Sequence, residues 1–149
     1  MEFEHRFAFR LATSPEKARR LLFTPERVFS TLPGLEALSR EGDLFRGRLC
    51  GEAPVFGRVC FPFESRLLGG ERAELEPIPL EAEPFWAELG GVGEADRSGL
   101  YYRVRLVIHA RLPAGEKWGG RALRRLVEAA LRRNLARALA ALPERVELR

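Results

Sequence analysis

Residues 2–11 alternate between apolar and polar side chains. Phe3, His5, Phe7, Phe9 and Leu11 share one face, and Glu2, Glu4, Arg6 and Arg10 share the other. A period of two predicts a half-buried strand, here with His5 on its apolar side. Two short helices are predicted next. Ser14-Pro15-Glu16 and Thr24-Pro25-Glu26 each supply a capping hydroxyl, a proline at the first helical position and an acid in the first turn. Pro25 should stop the first helix near residue 22. Pro33-Gly34 should end the second, with Val28, Phe29 and Leu32 facing inward.

From 35 to 112 the period returns to two. Strands are predicted near 35–41, 44–50, 55–67, 71–77, 83–92 and 99–112, separated by Gly, Pro and charged turns. The strand at 55–67 places Val55, Val59, Phe61, Phe63, Ser65 and Leu67 on one face and Arg58, Cys60, Glu64 and Arg66 on the other. Pro62 cannot donate a ladder hydrogen bond and marks an edge or bulge. The strand at 99–112 turns Tyr102, Val104, Leu106, Ile108 and Ala110 inward. It turns Arg103, Arg105, His109 and Arg111 outward, which makes His109 a solvated surface residue. Short connections favour an antiparallel meander.

Residues 116–142 predict one long helix. Leu123, Val127, Leu131, Leu135 and Leu139 recur every four residues, joined by Leu126, Ala130, Ala138 and Leu142. That seam drifts by about 40° per step, which suits a helix lying across a twisted sheet. Asn134 falls among its apolar positions. Pro143 ends the helix and leaves a short polar tail.

Composition narrows the class. A chain of 149 residues is expected to be one domain, 1–149. It is 46% hydrophobic and 31% charged, which excludes a disordered chain. No apolar run approaches the roughly 18–20 residues of a membrane span, and the start has no secretory pattern. The expectation is a cytoplasmic protein that is not an integral membrane protein. Of the 25 basic residues only Lys17 and Lys117 are lysine; the chain has no glutamine, and Asn134 is its single asparagine. That scarcity fits a heat-adapted protein or a GC-rich coding sequence. The net charge of +4 is polarised: 71–96 holds eight acids against Arg72, and 117–137 holds seven bases against Glu128. No aromatic or zinc motif accompanies the basic stretch, so nucleic acid is not an expected partner.

The order of elements is strand, two short helices, six strands and one long helix. It is an α+β layer arrangement, and it resembles the START-like, polyketide-cyclase-like (SRPBCC) helix-grip superfamily over essentially the whole chain. Phe-Arg-Leu-Ala-Thr-Ser-Pro-Glu (9–16), leading to Pro-Glu-Arg-Val-Phe-Ser-Thr-Leu-Pro-Gly-Leu-Glu (25–36), is similar to the start of one branch of that superfamily, the proteins like the G subunit of carbon monoxide dehydrogenase. The whole pattern also looks like a small uncharacterised bacterial family. The resemblance implies a curved antiparallel sheet of about seven strands around a long C-terminal helix. It also implies a small apolar or lipid-like ligand held between them.

Catalytic signatures are absent. There is no GxSxG, Walker loop, HExxH or Rossmann glycine pattern, and no cofactor or resident metal is expected. Glu81, Glu83 and Glu88 read as a solvated charged stretch. Three polar residues fall at inward positions: His5, Ser65 and Asn134. Tyr102 adds an inward hydroxyl. Each either bonds to nearby backbone or orients a ligand in a lining of Phe7, Phe9, Phe29, Phe61, Phe63, Leu123 and Leu126. A cyclase or hydrolase reading would use His5 as general base, with Tyr102 or Asn134 polarising a carbonyl. An assembly reading, including a homodimer, would use Trp86 and Trp118 as exposed anchors.

Cys50 and Cys60 form no CxxC. Even with His5 and His109 they make no four-ligand zinc site without carboxylate help. Free structural thiols are expected in a reducing cytosol. The turn at 51–55 also sets the two cysteines equally far from Val55, which leaves a cross-strand disulfide open.

Overall fold

The computed structural model describes residues 2–53, 57–111, Ala129, Arg133 and 145–147. The chain begins with β1 (Glu2–Ala12), then α1 (Pro15–Leu22), α2 (Pro25–Val28) and a 3-10 turn (Phe29–Thr31). Six strands follow: β2 (Leu35–Glu41), β3 (Leu44–Ala53), β4 (Gly57–Leu68), β5 (Ala73–Ile78), β6 (Phe85–Asp96) and β7 (Gly99–Ala110). A short β8 (Arg145–Glu147) stands where a polar tail was expected. The strands form one sheet in the order β2-β3-β4-β5-β6-β7-β1-β8. Neighbours from β2 round to β1 are antiparallel, and β8 lies parallel to β1. The sheet is therefore the seven-strand curled sheet of a helix-grip fold with one short added strand. The helix predicted over 116–142 lies outside the described residues, apart from Ala129 and Arg133, which are helical and exposed. Among the described residues no helix is long and apolar enough to cross a membrane.

The two Pro-Glu starts behave differently. Ser14 caps α1 by accepting from the Lys17 N–H. Thr24 makes no such bond for α2. Its hydroxyl instead donates to the Leu21 carbonyl at 3.2 Å. The two helices abut, and the unpaired carbonyls that end α1 take the donor first.

The core sits where these helices meet the concave face. Val28 and Phe29 are fully buried and Leu32 nearly so, as helical spacing predicts. The Phe29 ring meets Phe9 from β1 at 5.7 Å, Tyr102 from β7 at 5.3 Å and Phe45 from β3 at 5.7 Å. Phe45 meets Phe63 edge-on, and Phe9 stacks on Tyr102. Offset and edge geometries of this kind add to the value of burial alone. Gly93 is required below Tyr102: a Cβ there would collide with the phenol ring.

The outer face is held by charge. Glu4 accepts from Arg105 at 2.9 Å and from Arg6 at 2.8 Å. Asp96 binds Ser98 at 2.7 Å and Arg10 at 3.0 Å, and the Arg10 guanidinium lies over the Tyr101 ring. Among the described residues Pro62 has no ladder partner on the β5 side, because β4–β5 pairing begins at Glu64. It is thus a local edge inside a central strand.

Phe29→Ala is expected to lower the unfolding free energy by about 3–5 kcal/mol in urea denaturation. Hydrogen bonds from Arg105, then Arg6, lower the Glu4 carboxyl to about 2. Those from Ser98, then Arg10, lower Asp96 to about 2. A lowered folded-state value means both groups stabilise the fold above the ordinary carboxylate range and lose that contribution as pH falls toward 2. Unfolding midpoints should therefore be flat near neutrality and drop below about pH 4.5. Added salt should shrink the drop, because both groups are exposed.

Candidate functional site

Among the described residues, those singled out as a ligand lining lie on or against the concave face, and the sheet register sorts them into two groups. Phe9, Phe29, Phe63 and Tyr102 belong to the filled zone under α1 and α2, each at most 1% exposed. The Tyr102 hydroxyl donates to the Leu22 carbonyl at 3.2 Å, tying β7 to the end of α1. Burial, with the Glu26 charge adding to it, pushes its phenol well above the usual tyrosine range, so the group stays neutral. Ser65 is fully buried, and its hydroxyl donates to the Leu89 carbonyl on β6. Pro77 of β5 lies opposite Ser65 in the register and has no N–H to offer. The serine supplies a donor where the ladder has none.

The second zone lies farther along the strands, away from α1 and α2. His5 and Phe7 of β1 are half-buried on one side of the face. Phe85 of β6 is half-buried on the other, with its ring edge-on to Phe61 at 6.0 Å. Between them lie Leu89, Leu106 and Ile108. His5 has its ring 6.1 Å from Phe7 and makes no side-chain hydrogen bond to a described residue. The register pairs His5 with Leu106 and Phe9 with Tyr102. His5 and Tyr102 are thus four positions apart along the ladder, about 13 Å, and do not meet. Leu123, Leu126 and Asn134 lie outside the described residues, as does Trp118. Phe85 is the member of this zone that sequence reasoning passed over. Its alternation with Trp86 already placed it inward.

On the outer face two expectations are corrected. Trp86 is 5% exposed, not an open anchor. It faces His109 directly across the β6–β7 ladder, and the two rings stack at 3.8 Å, 9° from parallel. His109 is half-buried, and its Nε2 lies 3.1 Å from the Glu88 carboxylate. Directly opposed side chains on one face of a sheet pack against each other, and two flat rings shield one another from water. The outer face also has an open groove of about 910 Å³, with Val92 and Leu68 in its lining. Arg6, Arg103, Glu74 and Glu76 are among its lining residues, so the groove carries charge of both signs.

Cys50 and Cys60 oppose each other in the β3–β4 register and are joined by a disulfide, with Cα atoms 4.1 Å apart. The expectation of free thiols is thereby corrected. The hairpin placed them opposite, as their equal distance from residue 55 allowed.

A family model described as "Protein of unknown function (DUF3809)" matches residues 6–140, and the chain belongs to that family. No curated protein matches it. Among solved structures it is similar to TTHA0849 from Thermus thermophilus, at 22% identity and a TM-score of 0.46, covering 96% of this chain and 100% of that one. It is similar to the Zhui aromatase/cyclase from a Streptomyces species, at 15% identity and a TM-score of 0.48, covering 95% and 90%. It is also similar to a STAR-related lipid transfer protein from Xanthomonas axonopodis, at 19% identity and a TM-score of 0.42, covering 91% and 82%.

Ser65→Ala should cost about 1–3 kcal/mol in denaturant unfolding, because it strands the buried Leu89 carbonyl.

Proposed function

We propose that this protein binds a small apolar or lipid-like ligand on the concave face of its sheet, in the zone rimmed by His5, Phe7, Phe61 and Phe85. The observation that carries this reading is the division of the face. One zone is closed by Phe29 and its ring contacts. The other leaves Phe7 and Phe85 only half-buried, on opposite sides of Leu89, Leu106 and Ile108, which are at most 2% exposed. Apolar walls with few polar groups are the usual make-up of a small-molecule site. His5 is the polar side chain of the zone without a described partner, and it is placed to meet a polar end of the ligand. The hydroxyls of Ser65 and Tyr102 are already committed to backbone carbonyls, so they shape the floor rather than hold the ligand.

Titration with an apolar fluorescent dye, followed by displacement with a long-chain fatty acid, tests the proposal. The protein should bind the dye and release it to the fatty acid. Phe7→Ala and Phe85→Ala should each weaken binding roughly 10- to 100-fold, the value of one buried aromatic contact. Absence of binding, or variants that bind like the parent chain while keeping its circular dichroism spectrum, would contradict it.

A further inference from the structure

Outside the concave face, one cluster of metal-ligating side chains stands apart among the described residues. Cys50 of β3, Cys60 of β4 and Glu36 of β2 bring their ligand atoms within 4.8 Å of one another. The three come from neighbouring strands of a rigid ladder. Glu36 sits just before a slip in the β2–β3 register, at Ala37, whose φ is +52°. The cluster lies on the outer face: Cys60 alternates with the buried Phe61, and Cys50 with the buried Leu49. In the oxidised chain the two sulfurs bond to each other, and Glu36 pairs with Arg58.

We propose that Glu36, Cys50 and Cys60 form a zinc site that opens when the disulfide is reduced. A dithiol reductant delivers two electrons and leaves as its own disulfide, carrying over two protons, so that each cysteine becomes a thiol. Binding of Zn2+ then displaces both thiol protons to solvent and forms two Zn–S bonds of about 2.3 Å and one Zn–O bond of about 2.0–2.2 Å. Water completes the fourth position, as in other three-ligand zinc sites.

The surroundings fit this ligand set. Two thiolates and a carboxylate carry three negative charges. Arg58 is bonded to Glu36, and Arg48 faces Glu36 across the ladder. Together they offset part of that charge. A carboxylate has two oxygens, so Arg58 can hold one and orient the other toward the metal, as outer partners of metal ligands do. The Glu36 side chain is 39% exposed, which gives an ion a way in. Oxidation would remove both sulfur ligands at once, so zinc occupancy would follow the redox state of the surroundings.

The experiment uses the full chain, reduced with dithiothreitol and freed of it under anaerobic conditions, then titrated with Zn2+ and weighed by native mass spectrometry. The reduced protein should take up one Zn2+, and the oxidised protein none at the same concentrations. Glu36→Gln, which keeps both cysteines, should weaken zinc binding about 10-fold or more, and the Cys50→Ser/Cys60→Ser variant should abolish it. Equal uptake by oxidised and reduced protein, or by the double-serine variant, would overturn the proposal. So would a Glu36→Gln variant that binds zinc as tightly as the parent.

Discussion

The Phe29 ring is the contact on which the arrangement of the concave face depends. It follows two short helices and reaches the sheet at β1, β3 and β7 together, through Phe9, Phe45 and Tyr102. A single side chain thus fixes where the helices sit and how far along the strands the filled core extends. Tyr102 reinforces it from below by bonding to the carbonyl of Leu22. Beyond the reach of these rings the same face continues, and there Phe7 and Phe85 are only half-buried. The proposed ligand zone begins where the contacts of the Phe29 ring end.

The sheet itself curls around a weak point. β5 has six residues and pairs with β6 at three positions only among the described residues. Pro77 removes a donor at its end, and Ser65 reaches the Leu89 carbonyl instead. That bond joins β4 to β6 at a place where the β5–β6 ladder has lapsed. It keeps Phe61 and Phe85 within ring contact on the far rim of the open zone. A polar residue at an inward position therefore serves the shape of the site rather than its chemistry.

Much of the fold was legible because the signals were local and strong. Alternation placed β1 and β7 within two residues at each end, and Val28, Phe29 and Leu32 faced inward as helical spacing required. The site was less legible. Alternation tells which face a residue shares, but not what lies opposite it on a neighbouring strand. Trp86 and His109 each looked exposed alone, and they shield each other only because the register sets them face to face. Ser65 and Tyr102 could be read as backbone-bonded or as ligand anchors, and the choice was not legible because their backbone partners, Leu89 and Leu22, lie 24 and 80 residues away in the chain. Thr24 carried the same capping pattern as Ser14, yet the nearer carbonyls of α1 claimed its hydroxyl. Cys50 and Cys60 were half legible: equal spacing about one turn left the pair open although free thiols were expected, whereas the placement of Glu36 beside them depends on a register slip that no pattern announces.

The central claim is that the concave face has one closed zone and one ligand-accepting zone. Backbone amide shifts of the labelled protein, followed by NMR during titration with a long-chain fatty acid, test it most directly. His5, Phe7 and Phe85 should shift together and saturably, while Phe29, Phe45 and Tyr102 stay in place. Shifts confined to the outer face around Val92 and Arg103, or none at any of these residues, would contradict it.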